Sequence, residues 1–359
     1  MNKIILKCKL VTPMFMAGAD SRTPELRASE FKGMMRWWWR AIKAEDNIER
    51  LKEEESKIFG GTEEGKSKLK IVINTLSIST GNDISREINN YRGLRYLFYS
   101  TFALRTRGEQ ILRSYFTEGT QFLITLSSND EKSFEIGVAS LWLAIFLGGF
   151  GTRARRGGGN IEILDAQRNF KNEGFDLKCQ AKNKGELKDF IQNNIQTIKD
   201  ICGQGNGTRK YTNLKNAKIF IFDPKNNWKD ALNFLGEKYK DFRNEHRDEI
   251  FKTAAFGMPV MHSRFTVRMV PYREESKDAC LSDRWASPLI FKVIKSNNLY
   301  FPVVVKLSAG GVHFVGKEVK VGNKWKLDEN ARVFIMRIDE RLIENFLNSL
   351  PQDREELNL

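Results

Sequence analysis

From Gly137 to Leu164 the chain passes from an apolar helix-like segment, through L-G-G-F-G-T-R-A-R-R-G-G-G-N (Leu147 to Asn160), into a strand-like segment. Six glycines and three arginines share that run. Glycine opens positive φ and permits close approach to the backbone, leaving amide N–H groups unshielded. Arg153, Arg155 and Arg156 add planar, permanently charged forks suited to phosphate oxygens. The plainer reading is a glycine-ended helix whose arginines offset the dipole. One glycine and one arginine would satisfy that reading; this run carries far more. The order of elements also restricts the fold. A dinucleotide-binding glycine turn follows a strand and opens a helix, whereas this one follows a helix and opens a strand. Nicotinamide and flavin cofactors are therefore not expected, and no other cofactor is implied.

The same order recurs along the first half. Lys3 to Val11 alternates, with Ile4, Leu6, Cys8 and Leu10 on one face and Lys3, Lys7 and Lys9 on the other, as in an edge or half-buried strand. A loop (Met16 to Ala28) precedes a helix over Glu30 to Ala44, with Ser29 as its N-cap. Leu69 to Ile78 and Gln121 to Leu126 read as strands, separated by a basic helical region from Glu87 to Ser114. Gly137 to Phe146 reads as a helix and Asn160 to Leu164 as a strand. The resulting β-α-β-β-α-β order predicts a ferredoxin-like domain over residues 1–168. Residues 169–212 are polar and read as a linker with one helix, Glu186 to Ile201. A second, decorated ferredoxin-like domain is expected over 213–359. Its strands lie at Ala217–Phe222, near Arg264–Met269, Leu289–Ile294, Tyr300–Leu307 and Val333–Ile338, and its helices at Trp228–Glu245 and Glu340–Leu350. The expected fold class is α+β, two ferredoxin-like (RRM-like) domains in tandem with helical insertions.

Charge narrows the partner. Lysine and arginine outnumber aspartate and glutamate by 59 to 45, a net charge of +14, which favours an anionic partner. No segment reaches the roughly 20 apolar residues needed to cross a bilayer, so no membrane partner is expected. Four scattered cysteines read as reduced thiols, and a cytoplasmic location follows.

On the helix Glu30 to Ala44, Phe31, Met35, Trp38 and Ile42 fall on one face. Lys32, Arg36, Arg40 and Lys43 share another, with Trp39 among them. A cationic stripe holding one ring suits a single nucleic-acid strand, phosphates to the cations and a base to the ring. Trp37 and Trp38 read as core; for Trp39, stacking and core remain equally open. Gly60 to Ser67 (G-G-T-E-E-G-K-S) matches a phosphate-loop pattern. It follows a helix and precedes a strand, the reverse of what that motif requires, and reads as a turn. Of His246, His262 and His313, only His262 is a plausible acid–base group, and no metal-ligand spacing is present.

Several segments together resemble one family. They are T-P-M-F-M-A-G-A-D (Thr12–Asp20), P-E-L-R (Pro24–Arg27), F-K-G-M-M-R-W-W-W-R-A (Phe31–Ala41), I-F-G-G-T (Ile58–Thr62) and G-G-F-G-T-R-A-R-R-G-G-G (Gly148–Gly159), with S-P-L-I-F-K-V (Ser287–Val293) later. They resemble the RAMP superfamily of CRISPR RNA-binding proteins, in detail the first subunit of the type III-B (Cmr) effector. The resemblance implies a non-catalytic subunit that caps the complex where the guide RNA ends. Its partners would be the 3′ portion of the guide (CRISPR) RNA, the target RNA and other RAMP subunits of the complex. On this reading Arg153, Arg155, Arg156 and Thr152, with the amides of Gly148, Gly149 and Gly151, hold phosphates. Lys32, Arg36, Trp39 and Arg40 continue the track, and Arg22 and Arg27 flank its entrance. The alternatives are a metal-independent RAMP endoribonuclease using His262, and a pure scaffold whose arginines meet protein.

Overall fold

A computed structural model of the 359-residue chain describes all residues except 21, 103, 107–108, 170–173, 209, 263–265, 273–283, 309–313, 329–335 and 338–339. The first unit comprises β1 (Asn2–Leu10), α1 (Ala28–Lys43), α2 (Ile48–Phe59), β2 (Lys70–Ser77), α3 (Arg92–Phe98), β3 (Gln121–Ser128), α4 (Glu131–Phe146) and β4 (Ile161–Arg168). Its antiparallel sheet has the order β2-β3-β1-β4, the ferredoxin-like arrangement. β1 is thus a central strand. Ile4, Leu6, Cys8 and Leu10 are buried in the core, while Lys7 is exposed and Lys3 and Lys9 half-buried. Two helices begin earlier than expected. α1 starts at Ala28 after Arg27, whose side chain does not cap it. α4 starts at Glu131, because the Asp130 side chain accepts from the Ser133 amide.

α5 (Lys184–Cys202) follows, capped by the Asn183 side chain, which accepts from the Glu186 amide. Leu187, Ile191, Ile195 and Ile198 are buried in the core shared with the first unit, so this helix is built into the body rather than spanning a loose linker.

The second unit contains β5 (Asn213–Phe222), α6 (Trp228–Glu245), β6 (Val260–His262), β7 (Val267–Tyr272), β8 (Leu289–Ser296), β9 (Leu299–Ser308), β10 (Phe314–Val321), β11 (Lys324–Leu327), β12 (Met336–Arg337), α7 (Arg341–Ser349) and β13 (Arg354–Asn358). The sheet β8-β9-β5-β13 repeats the ferredoxin-like order. Ile219, Ile221, Val303 and Val305 face the first unit's core. Phe220, Phe222, Val304 and Phe291 belong to the core around α6 and α7. A sheet covered on both faces needs continuous apolar runs, which is why I-F-I-F and P-V-V-V show no alternation.

A small sheet, β6-β7-β10-β11 with β12 beside β10, decorates this unit. The strand expected near Arg264–Met269 begins at Val267, after a turn residue at Thr266; Arg264 lies outside the described residues. Of the strand expected over Val333–Ile338, only Met336–Arg337 lies within them. β13 was not anticipated: R-E-E-L-N has no apolar alternation, and it is held as an edge strand by pairing with β5.

Candidate nucleic-acid interface at the domain junction

The glycine–arginine loop folds back on its own unit. Phe150 donates to the Gly159 carbonyl (3.1 Å), Gly159 to Pro13 (2.9 Å) and Thr152 to Phe15 (2.8 Å). Gly158 and Arg156 both donate to the Arg153 carbonyl, at 3.0 and 2.7 Å. Gly159 has φ 62°, and a Cβ there would overlap the Phe150 carbonyl. A Cβ at Gly148 would stand 2.5 Å from Trp38 Nε1. These glycines let the chain approach itself. The expectation that their amides face an anion is corrected for Gly148, which donates to Leu143 (3.2 Å), and for Gly149, which is buried. Gly151 and Thr152 do border an open cleft.

The three arginines diverge. Arg155 donates to the Ser287 carbonyl and lies over the Trp37 ring, 5.2 Å from its centroid. Arg156 donates to the Leu289 carbonyl (2.9 Å), with the Phe256 carbonyl at 3.4 Å. Its guanidinium sits between Tyr239 and Phe291, 5.1 and 5.3 Å from the ring centroids. Burial lowers both, Arg155 to about 10. The clasp is completed by Phe291, which donates to the Arg155 carbonyl (3.1 Å), and by Asn160 Oδ1, which accepts from the Val293 amide (2.8 Å). Lys292 Nζ donates to the carbonyls of Ile145 (2.6 Å) and Gly148 (2.7 Å). Arg155 and Arg156 therefore bind the second unit's main chain, a correction to their placement on a phosphate track. Arg153 lies instead on a ring of the first unit, its guanidinium 4.5 Å from the centroid of Tyr99.

The α1 stripe is largely neutralised. Arg36 (2.5 Å) and Arg40 (2.7 Å) share the carboxylate of Glu55, and Lys43 pairs with Glu54 at 2.8 Å. The cause is α2, whose glutamate-bearing face folds against α1. Lys32 has no ion pair among the described residues; partial burial and then Arg36 lower its proton affinity. Trp39 is 1% exposed and meets Phe59 edge-on, so stacking on a base is ruled out for it. Trp39→Ala should cost about 3–5 kcal/mol of stability and leave RNA affinity of the folded variant unchanged. Parallel urea titrations and RNA titrations check this, and an affinity loss at unchanged stability would contradict it.

The open surface beside the loop is a polar cleft of about 440 Å³, lined by Phe15, Met16, Gly18, Glu30, Arg113 and Thr152 among others. Arg22 is exposed on the loop that leads to it, and Arg27 is half-buried. The Arg27 amide rests on Met16 Sδ (3.4 Å). The Asp20 carboxylate is held down to about 2 by the Thr23 hydroxyl and by the Arg22 and Thr23 amides. Two residues without a mark in the sequence belong to this region: Arg113, which lines the cleft, and Tyr99, 62% exposed beneath Arg153. Their only signal was the basic character of 87–114; which of its residues faces the loop depends on the insertion's fold.

Gly60–Ser67 is a turn between α2 and β2, where Gly61 and Gly65 exchange hydrogen bonds (3.1 and 3.0 Å). His246 stacks on Phe242, 4.2 Å between centroids, and its Nδ1 meets the Phe242 carbonyl at 2.9 Å. His313 and the side chain of His262 lie outside the described residues. Among the described residues no His/Cys/Asp/Glu group is placed to hold a metal, and no helix is long and apolar enough to cross a membrane.

Comparison with known proteins agrees with this architecture. Residues 7–162 match the RAMP superfamily model. A Pyrococcus furiosus protein described as CRISPR system Cmr subunit Cmr1-1 is 30% identical over 299 residues, 81% of this chain and 82% of that protein. Cmr subunit Cmr1-2 of the same organism is 38% identical over 181 residues, 45% of this chain and 96% of that protein. The crystal structure of Cmr1 from P. furiosus superposes with a TM-score of 0.68 at 24% identity, covering 99% of this chain and 98% of that one. A chain of a type III-B Cmr-beta complex bound to cognate target RNA and AMPPnP superposes with a TM-score of 0.58 at 13% identity, over 97% of this chain and 98% of that one. With both sheets in ferredoxin-like order and the glycine–arginine loop at their junction, the chain belongs to the RAMP superfamily, as a subunit of the type III-B CRISPR (Cmr) system.

Proposed function

We propose that this subunit is non-catalytic and binds single-stranded RNA across the cleft beside the glycine–arginine loop, capping the assembly where the guide RNA ends and contacting the target there. Arg113 meets phosphates within the cleft, and Arg153, on Tyr99 one residue beyond Thr152, meets the strand as it leaves. Lys32, Arg22 and Arg27 extend the cationic edge, Thr152 offers a hydroxyl, and Gly151 lets the backbone approach. The carrying observation is that Arg113 lines a polar cleft bordered by Gly151 and Thr152 of the glycine–arginine loop, and that it has no carboxylate partner among the described residues, in a chain of net charge +14. Arg155 and Arg156 shape the cleft by holding the two units together. The relatives named as Cmr subunits, and the complex described with target RNA, support the same reading.

Anisotropy titration of labelled single-stranded RNA tests it. Engagement of about four to six phosphates gives a log–log salt slope of roughly −3 to −4 for single strands. Affinity then falls by about two orders of magnitude between 50 and 200 mM salt. Arg113→Ala with Arg153→Ala should weaken binding to unrelated sequences about equally, because phosphate contacts carry no sequence information. Salt-independent binding would sink the proposal. Its non-catalytic part would fall if the pure protein cut RNA under chelation and His262→Ala abolished the cut.

A further inference from the structure

On the same tyrosine ring as Arg156 lies an arginine that the glycine–arginine motif does not include. Arg243, in the last turns of α6, lies 5.6 Å from the centroid of Tyr239 and 5.8 Å from that of Phe256. Its sole hydrogen bond among the described residues is a long one, 3.5 Å, to the Tyr239 hydroxyl. The Tyr239 ring carries Arg156 at 5.1 Å and meets Tyr96 edge-on at 5.8 Å. Arg153 lies on Tyr99, and its Nε is buried without a partner. Three arginines and three tyrosines thus meet where the loop, α3 with the turn after it, and α6 converge.

Among the described residues no carboxylate pairs with any of the three guanidiniums. Burial, and also Arg243 and Arg153, lower the proton affinity of Arg156, whereas for Arg243 the effect of burial is outweighed by the neighbouring tyrosines, which raise it. Enclosed like charges without a counter-ion oppose folding, and such a group is electrostatically complete only with an anion present. Arg156 spends its donors on carbonyls. Arg153 and Arg243 have donors left, and phenol hydroxyls add neutral donors of the kind phosphate oxygens accept.

We infer that Arg243 and Arg153 together form a seat for one phosphate group of a bound single strand, with exposed Tyr99 as the stacking surface for the adjoining base. The inference rests on the RNA-binding reading above and deepens it, because the seat is made by both units and exists only when they are docked. A phosphodiester of RNA and free inorganic phosphate share the chemistry this seat selects.

The test compares wild type, Arg243→Gln and Arg243→Met. Single-stranded RNA titrated between 50 and 200 mM salt should lose about tenfold in affinity with either variant. The log–log slope should become shallower by about 0.7, the share of one phosphate on a single strand. Without RNA, the thermal midpoint of Arg243→Met should equal or exceed that of wild type, since an unpaired enclosed charge has been removed. A lowered midpoint with an unchanged salt slope would make Arg243 a structural residue and overturn the inference. Inorganic phosphate alone is the second arm. If it raised the wild-type midpoint but not that of Arg243→Gln, while RNA slopes stayed equal, the seat would be one for small free anions and the RNA assignment would fail. A steep wild-type slope unaltered by Arg243→Gln defeats this inference alone, whereas a flat wild-type slope defeats the RNA-binding reading itself.

Discussion

Replacing Arg156 by alanine should lower stability by about 3 kcal/mol. The side chain reaches from the first unit's loop to the Leu289 carbonyl (2.9 Å) and lies between the rings of Tyr239 and Phe291. A hydrogen bond from a charged group contributes about 1.5–3 kcal/mol net. Removing the long side chain also leaves a void among aromatic rings and an orphaned carbonyl. Lysine in its place keeps charge but loses the planar fork that bonds and stacks at once, so Arg156→Lys should recover little. Arg156→Met fills the space without an enclosed charge and should recover more than lysine does. The readout is the urea midpoint at unchanged denaturant slope. An Arg156→Ala midpoint equal to wild type would show that the junction does not depend on this clasp.

Stability should rise with pH from about 7 toward 9, and Lys292 should be responsible for most of that rise. Lys292 is 1% exposed, and burial pushes its ammonium from 10.5 down to about 7. Between those values the unfolded chain holds a proton that the folded chain has released, so raising the pH favours the folded state. Taken alone, that shift corresponds to about 5 kcal/mol at 1.36 kcal/mol per unit. The two carbonyls at the negative end of α4 pull in the opposite direction, because they favour the ammonium. A rise of about 2–3 kcal/mol is therefore expected over the whole interval. The comparison belongs below pH 9, where the buried thiol of Cys202, pushed by burial from 9.0 to about 12, has not begun to reduce stability. Urea unfolding at pH 6.5, 7.5 and 8.5 should show the rise in wild type and a flattened profile in Lys292→Met. A rise that persists in the variant would assign it to other groups.

Lys292 also shows where sequence reading stops. Phe146 ends α4 with no basic residue in its last turn, and the missing cation comes from a strand more than a hundred residues later. Nothing in S-P-L-I-F-K-V marks its lysine as an interior residue bonded to the other unit. Trp39 is the converse case. Helical periodicity put it beside Arg36 and Arg40, correctly, but α2 folds back to cover that face and brings Glu55 to both arginines.

What the residues determined alone was local: strand alternation in Lys3–Val11, the period of α1, and the reversal of element order that made Gly60–Ser67 a turn. Those follow from backbone geometry and side-chain spacing over a few residues. The glycine–arginine run marked the junction, yet its glycines serve the chain's approach to itself and two of its three arginines grip the second unit. Which guanidinium is left without a main-chain acceptor was decided only in three dimensions, because enclosed arginines must find acceptors and the nearest ones were carbonyls of β8 and its approach. Arg156, between Tyr239 and Phe291, owes its place to the docking of two units, information that no short stretch of sequence contains.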